Sequence, residues 1–274
     1  MTDRRVLIVT GAGTGIGAAV ADRAAAQGWQ VVLCGRRREL LDVVAARTGA
    51  RAVAMDVTDA SAIEDLVATT IAEYGRLDCV VPNAAVMRQG SVLDLSPADW
   101  DLTLATNLTS VFLLIRAALP HLCHVAGSVV AVSSIAALRA PSAAAAYAVS
   151  KAGLVTLVQT VARDFGGRGV RANVVCPGWV RTEMADQELA EFGHGLGLDV
   201  DGAYEEVTRL VPQSRPAEAS EIAAAVTWLA GPDASYVNGA CLVVDGGTVL
   251  VDPGTVGFDF SVSARLAADP GPAR

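Results

Sequence analysis

Val6-Leu7-Ile8-Val9-Thr10-Gly11-Ala12-Gly13-Thr14-Gly15-Ile16-Gly17 runs from four consecutive apolar residues into a glycine cluster, then directly into an Ala-rich stretch that ends near Gly28. Four apolar residues without alternation suit a strand covered on both faces, as in a parallel sheet between helices. Among the glycines, Gly11 permits a tight turn, Gly15 lets backbone approach a pyrophosphate, and Gly17 allows a helix to pack closely on the strand. The helix start supplies free N–H groups for an anion. A glycine cluster alone is a weak sign, but one seated between a strand and a helix predicts a dinucleotide site. Gly11, Thr14, Gly15, Ile16 and Gly17 are its expected contacts.

The same rhythm continues along the chain, with short β-branched runs alternating with stretches of helical period. Strands are expected at Val6 to Thr10, Gln30 to Cys34, Arg51 to Met55, Cys79 to Pro82, Ser128 to Ser133, Arg171 to Cys176 and Ala240 to Val244. Helices are expected near Ile16 to Gln27, Arg38 to Arg47, Ala60 to Tyr74, Pro97 to His121, Ala144 to Phe165 and Pro216 to Leu229. The pattern predicts an α/β fold, a doubly wound seven-stranded parallel sheet with helices on both faces, in one domain over 1–247. Two segments read as irregular. Residues 182–215 carry Gly193, Gly195, Gly197 and Gly202 and suit a substrate lid, while the tail 248–274 suits either an arm around another subunit or a loose end.

Composition narrows the class of partner. Although 52% of the 274 residues are apolar, no stretch approaches the roughly 18 uninterrupted apolar residues of a membrane span. The first residues lack the pattern of an export signal, so a cytoplasmic location is expected. Five scattered cysteines with no CxxC pair read as reduced thiols, and His121 and His124 lack the partners of a metal site. A net charge of -8, with Arg36-Arg37-Arg38 the one basic run, argues against nucleic acid and for a small molecule. The chain uses 20 arginines and one lysine, Lys151. Arginine cannot replace lysine where a compact ammonium must sit beside a reacting group.

The end of the second strand reads Cys34-Gly35-Arg36-Arg37-Arg38-Glu39. A carboxylate in this turn would bind a ribose 2′-hydroxyl, and an arginine would accommodate a 2′-phosphate. No acid stands in the turn, and Arg36 or Arg37 could clamp a phosphate, so NADP(H) is favoured over NAD(H). Thr14 is not basic and adds no second phosphate contact.

Tyr147-Ala148-Val149-Ser150-Lys151 resembles the Tyr-x-x-x-Lys signature of the short-chain dehydrogenase/reductase family. The Thr-Gly-x-x-x-Gly-Ile-Gly loop, Ser134 thirteen positions before the tyrosine, Asn107 and Pro177-Gly178 extend the likeness across nearly the whole chain to Asp245-Gly246-Gly247. It implies a Rossmann-type fold and hydride exchange between a nicotinamide and a secondary alcohol or ketone. Spacing i to i+4 sets Tyr147 and Lys151 on one helix face, where the ammonium is expected to lower the phenol pKa from its ordinary value near 10. Ser133 and Ser134 end a strand at the sheet's carboxyl edge, and the resemblance selects Ser134 to stabilise charge on the substrate oxygen. It further implies that Asn107 anchors a water behind Lys151, that Asp56 and Val57 meet the adenine, and that Asn83 neighbours the cofactor. It also implies that Pro177, Gly178, Val180 and Thr182 hold the nicotinamide end. Ala85 departs from the family's usual Asn-Ala-Gly. A homotetramer or homodimer built on helices 97–121 and 144–165 is implied as well. Two rival readings are a reductase of carrier-bound 3-oxoacyl chains and a nucleotide-binding redox sensor without turnover.

Overall fold

A computed structural model describes residues 4–258. Its centre is a parallel sheet of seven strands in the order β3-β2-β1-β4-β5-β6-β9. These are β1 (Val6–Thr10), β2 (Gln30–Gly35), β3 (Arg51–Ala54), β4 (Cys79–Val81), β5 (Ser128–Val132), β6 (Arg171–Pro177) and β9 (Cys241–Val244). All seven expected strands are present, with ends shifted by a residue or so. The unbroken apolar run of β1 has its physical explanation here. Val6 and Ile8 enter one core layer, Leu7 and Val9 the other, and all four are fully buried. The first layer packs against α3 (Ala60–Tyr74), α5 (Ser110–Val125) and α6 (Ala145–Phe165), through residues such as Leu66, Leu114 and Val158. The second packs against α1 (Gly15–Ala26), α2 (Arg38–Thr48) and α9 (Ala219–Ala230), through Val20, Leu41 and Val226. Strand order reverses between β1 and β4, which opens a crevice at their carboxyl ends.

Three expectations need correction. The helix read as continuous from Pro97 to His121 is α4 (Pro97–Leu104), a widened π turn at Ala105–Thr109, and then α5, which continues to Val125. Asn107 lies in that turn, where its side chain bonds the main chain of Val86. Such bulges inside helices gather at functional sites. The segment 182–215 is largely helical, with α7 (Glu183–His194) and α8 (Val200–Thr208). These helices bury Ala185, Leu189, Ala203 and Tyr204 against one another, so tertiary packing overrides the glycine content. Finally, the segment is bracketed by a separate two-stranded pair, β7 (Val180–Arg181) with β8 (Ala217–Glu218). In the C-terminal tail, Thr248–Leu250 forms a short turn, and residues 259–274 lie outside the described residues.

Candidate active site

The loop after β1 is fixed by its neighbour after β4. The Thr10 hydroxyl accepts from the N–H groups of Asn83 and Ala84, both at 3.0 Å, and Asn83 Nδ2 donates to the carbonyls of Thr10 and Gly11 at 2.9 and 3.2 Å. Asn83 is therefore a clamp across the strand-order switch. Gly11 turns at φ +63°, a conformation costly for any residue with a Cβ. A Cβ on Gly17 would stand 2.3 Å from the Gly11 carbonyl oxygen, so only glycine lets α1 begin this close. A Cβ on Gly15 would crowd the Thr182 methyl at 3.0 Å. Thr14 is the N-cap of α1, and its side chain makes no capping bond. A side-chain-free cradle at an uncapped helix start fits the pyrophosphate of a dinucleotide.

From this cradle a cavity of about 640 Å³ extends in both directions, a volume ordinary for a small-molecule site. At one end it is walled by Arg36, Arg37, Asp56 and Val57, and at the other by Ser133, Tyr147 and Lys151. Asp56 accepts from Thr58 N–H at 2.9 Å and from its hydroxyl at 2.8 Å, and these bonds, aided by the charge of Arg36, hold its carboxyl below the usual range. Arg37 forms a two-pronged ion pair with Glu183, both contacts at 2.7 Å.

At the far end α6 carries Tyr147 and Lys151 on one face. Lys151 is 2% exposed, its Nζ donates to the Val132 carbonyl at 3.0 Å, and it stands 5.6 Å from the Tyr147 ring centroid. Ser133 donates to the Lys151 carbonyl at 2.9 Å, which ties β5 to α6. Ser134 caps the turn Ile135–Ala137, accepting from Ala136 N–H at 3.1 Å, and of the two serines it is Ser133 that lines the cavity. The charges differ from expectation. Burial pushes the phenol up to about 12, with the nearby Ser134 hydroxyl opposing the rise and Glu188 adding to it. Burial also pulls Lys151 down to about 8. The lysine does not bring Tyr147 below its ordinary value as expected, because desolvation dominates both groups. A neutral phenol still holds the proton that a carbonyl oxygen needs, and a lysine of pKa about 8 is roughly nine-tenths charged at pH 7.

The remaining expected residues stand behind the wall. Asn107 Oδ1 accepts from Val86 N–H at 2.8 Å, while its Nδ2 donates to the Val86 carbonyl at 2.9 Å and to Ser150 Oγ at 3.1 Å. Ser150 in turn donates to the Tyr147 carbonyl at 2.7 Å, so Asn107 reaches the tyrosine backbone through Ser150. Pro177 ends β6, Gly178 donates to the Val244 carbonyl at 3.1 Å, and Val180 lies buried in β7. Thr182 reaches the cavity, caps α7 by accepting from Ala185 N–H at 3.3 Å, and leads into Met184, Gln187, Glu188 and Glu191, which also line it. Sequence reading missed these four. The apolar spacing of Ala185, Leu189 and Phe192 was the available sign, masked by the glycines that follow. Trp179 packs with the core shared by α7 and α8 instead of lining the cavity.

With this geometry in view, the likeness to known proteins is specific. A family model described as "Enoyl-(Acyl carrier protein) reductase" matches residues 11–249. Protein MoaE of Klebsiella aerogenes is 40% identical over 93% of this chain and 99% of its own length. The meso-2,3-butanediol dehydrogenase of Serratia marcescens is 38% identical over 89% and 94%. A solved actinorhodin polyketide ketoreductase variant with NADPH shares 32% identity, covering 89% of this chain and 97% of that one, at a TM-score of 0.85. The chain belongs to the short-chain dehydrogenase/reductase family. As a member it is an oxidoreductase that works on the alcohol–carbonyl couple with a nicotinamide cofactor. The seven-stranded parallel sheet flanked by helices matches the Rossmann-type fold of the solved family structures.

Proposed function

We propose that this enzyme interconverts a secondary alcohol and a ketone on a free small molecule, with Tyr147 as the proton-transfer group. The observation that carries the reading is that the Tyr147 and Lys151 side chains share one cavity with the glycine cradle. When bound, the nicotinamide supplies or accepts the hydride. In the reducing direction Tyr147, neutral at physiological pH, gives its proton to the substrate oxygen, and the Ser134 hydroxyl stabilises charge on that oxygen. Lys151, positive below about pH 8, favours the phenolate left behind, and Asn107 positions the Tyr147 backbone through Ser150.

Gly11, Thr14, Gly15, Ile16 and Gly17 would cradle the pyrophosphate, Asp56 and Val57 the adenine, and Pro177, Gly178, Val180 and Thr182 the nicotinamide end. NADP(H) is favoured over NAD(H) because Arg36 follows β2 where an acid would select the ribose hydroxyl. The segment 182–215 serves as the substrate lid. A free substrate is favoured over a carrier-bound one because Arg37 and Arg88 in the cavity wall are each ion-paired with a carboxylate, and Glu188 and Glu191 line the cavity. An acidic carrier would meet a poor docking rim there. Helices 97–125 and 145–168 leave Phe112 and Val149 about half exposed, which supports a homotetramer or homodimer built on them. A monomeric mass in sedimentation would remove that part.

Absorbance at the reduced-nicotinamide band with a panel of ketones, secondary alcohols and vicinal diols tests the reaction. The parent turns over, and Tyr147→Phe loses about 10²–10⁴-fold. Comparable turnover in both proteins sinks the assigned mechanism. Cofactor binding without turnover of any substrate favours a redox sensor.

A further inference from the structure

Arg37 and Glu183 meet on the rim of the crevice although 146 positions separate them. Arg37 is the N-cap of α2, and Glu183 opens α7. Nη1 and Nη2 each donate to a different carboxylate oxygen at 2.7 Å, and Nη2 also lies 3.5 Å from Thr14 Oγ1. The guanidinium therefore hangs over the glycine loop, at the position where Thr14 itself brings no charge. Arg36 is engaged differently, with its charge acting on Asp56. Both arginines face the cavity end that Asp56 and Val57 share.

A guanidinium fork holds two oxygens of a phosphate in the way it holds two of a carboxylate. Here the Arg37 fork already holds Glu183. We propose that Glu183 is a cofactor-selectivity residue whose carboxylate competes with the 2′-phosphate of NADP(H) for Arg37 and leaves NAD(H) untouched. An adenosine carrying only a 2′-hydroxyl has no claim on the fork. This inference rests on the nicotinamide-dependent reading of the same crevice. It makes Arg36 the arginine ready for a phosphate and Glu183 the brake on that preference. The paired side chains remain about half exposed, at 50% and 42%, so the competition is modest in size.

Titration of the full chain with NADPH and with NADH, followed by nicotinamide fluorescence without substrate, reads the effect directly. Glu183→Gln should tighten NADPH by about two- to fivefold and leave NADH unchanged, the scale set by one exposed ion pair. In the double variant with Arg37→Gln the gain should vanish, so that it binds both cofactors as Arg37→Gln alone does. An unchanged NADPH to NADH ratio in a folded Glu183→Gln protein overturns the proposal. An equal change for both cofactors, as a loosened lid would give, overturns it too, as does a gain that survives removal of Arg37. Absence of binding by either cofactor to the parent would overturn the functional reading itself and the selectivity proposal with it.

Discussion

The glycine cradle and the lid face each other across one cavity and are built on opposite principles. Residues 10–17 are set by local sterics, since a turn at positive φ and a 2.3 Å approach to a carbonyl leave only glycine at Gly11 and Gly17. Residues 182–215 are set by burial. Their helices persist because Leu189, Ala203 and Tyr204 pack together, and Tyr204 donates to Asp186 at 2.8 Å. The difference teaches where each region is vulnerable. The cradle fails as a unit when one atom is added, whereas the lid loosens by degrees.

Gly17→Val is the severest test of that contrast. With the Gly11 carbonyl at 2.3 Å and Asn83 Nδ2 at 2.6 Å from the first added carbon, α1 must shift away from β1. The expected cost exceeds about 4 kcal/mol in denaturant unfolding, together with loss of cofactor binding. A folded, cofactor-binding Gly17→Val protein would show that the cradle tolerates movement after all.

Leu189→Ala probes the lid by the opposite change, removal of atoms. Leu189 is 1% exposed, and its truncation should destabilise locally by about 2–3 kcal/mol. Hydrogen exchange should accelerate in 183–208 while the sheet stays protected, and KM for substrate should rise more than the Kd for cofactor. Uniform acceleration across the sheet would mean that the lid folds as one with the core.

The two regions were also unequally legible. β1 and its loop announce themselves because every requirement falls on adjacent residues. The lid's requirements come from contacts such as Leu189 with Tyr204, fifteen positions apart, and the local apolar spacing in α7 is masked by the glycines that follow. The π turn around Asn107 escaped for the same reason, its cause being the main chain of Val86 on another loop. Tyr147 and Lys151 stand out through the resemblance to the Tyr-x-x-x-Lys signature and the lone lysine, but their titration does not. Proximity of the ammonium was visible in the sequence, and the burial that outweighs it was not.

Lys151→Met turns that burial into a measurement. The ammonium is ordinarily charged up to about 10.5, and burial lowers its pKa to about 8, a penalty on the order of 3 kcal/mol at neutral pH. Loss of the bond to the Val132 carbonyl returns part of it, so Lys151→Met should gain about 1–2 kcal/mol of stability while losing activity. Between about pH 8 and 10.5 the folded parent releases this proton and the unfolded chain keeps it. Parent stability should therefore rise relative to the variant across that window. Parallel pH profiles would contradict the burial argument. Reductive activity of the parent should fall as pH rises through about 8, when the lysine loses its charge.

Thr182 is the hinge between the two principles, and its substitutions should give the smallest effects and the finest separation. Its hydroxyl caps α7 at Ala185, and its methyl stands against Gly15. Thr182→Val keeps the methyl contact and removes the cap, at about 1 kcal/mol of lid stability. Thr182→Ser keeps the cap and removes the methyl, so α7 should hold while the seam to the cradle loses a contact worth about 0.5–1 kcal/mol. If the hydroxyl also meets the carboxamide of the nicotinamide, Thr182→Val should raise the Kd of both cofactors severalfold and Thr182→Ser should not. Equal Kd values in the two variants would confine the hydroxyl to capping and leave the cradle alone to hold the cofactor.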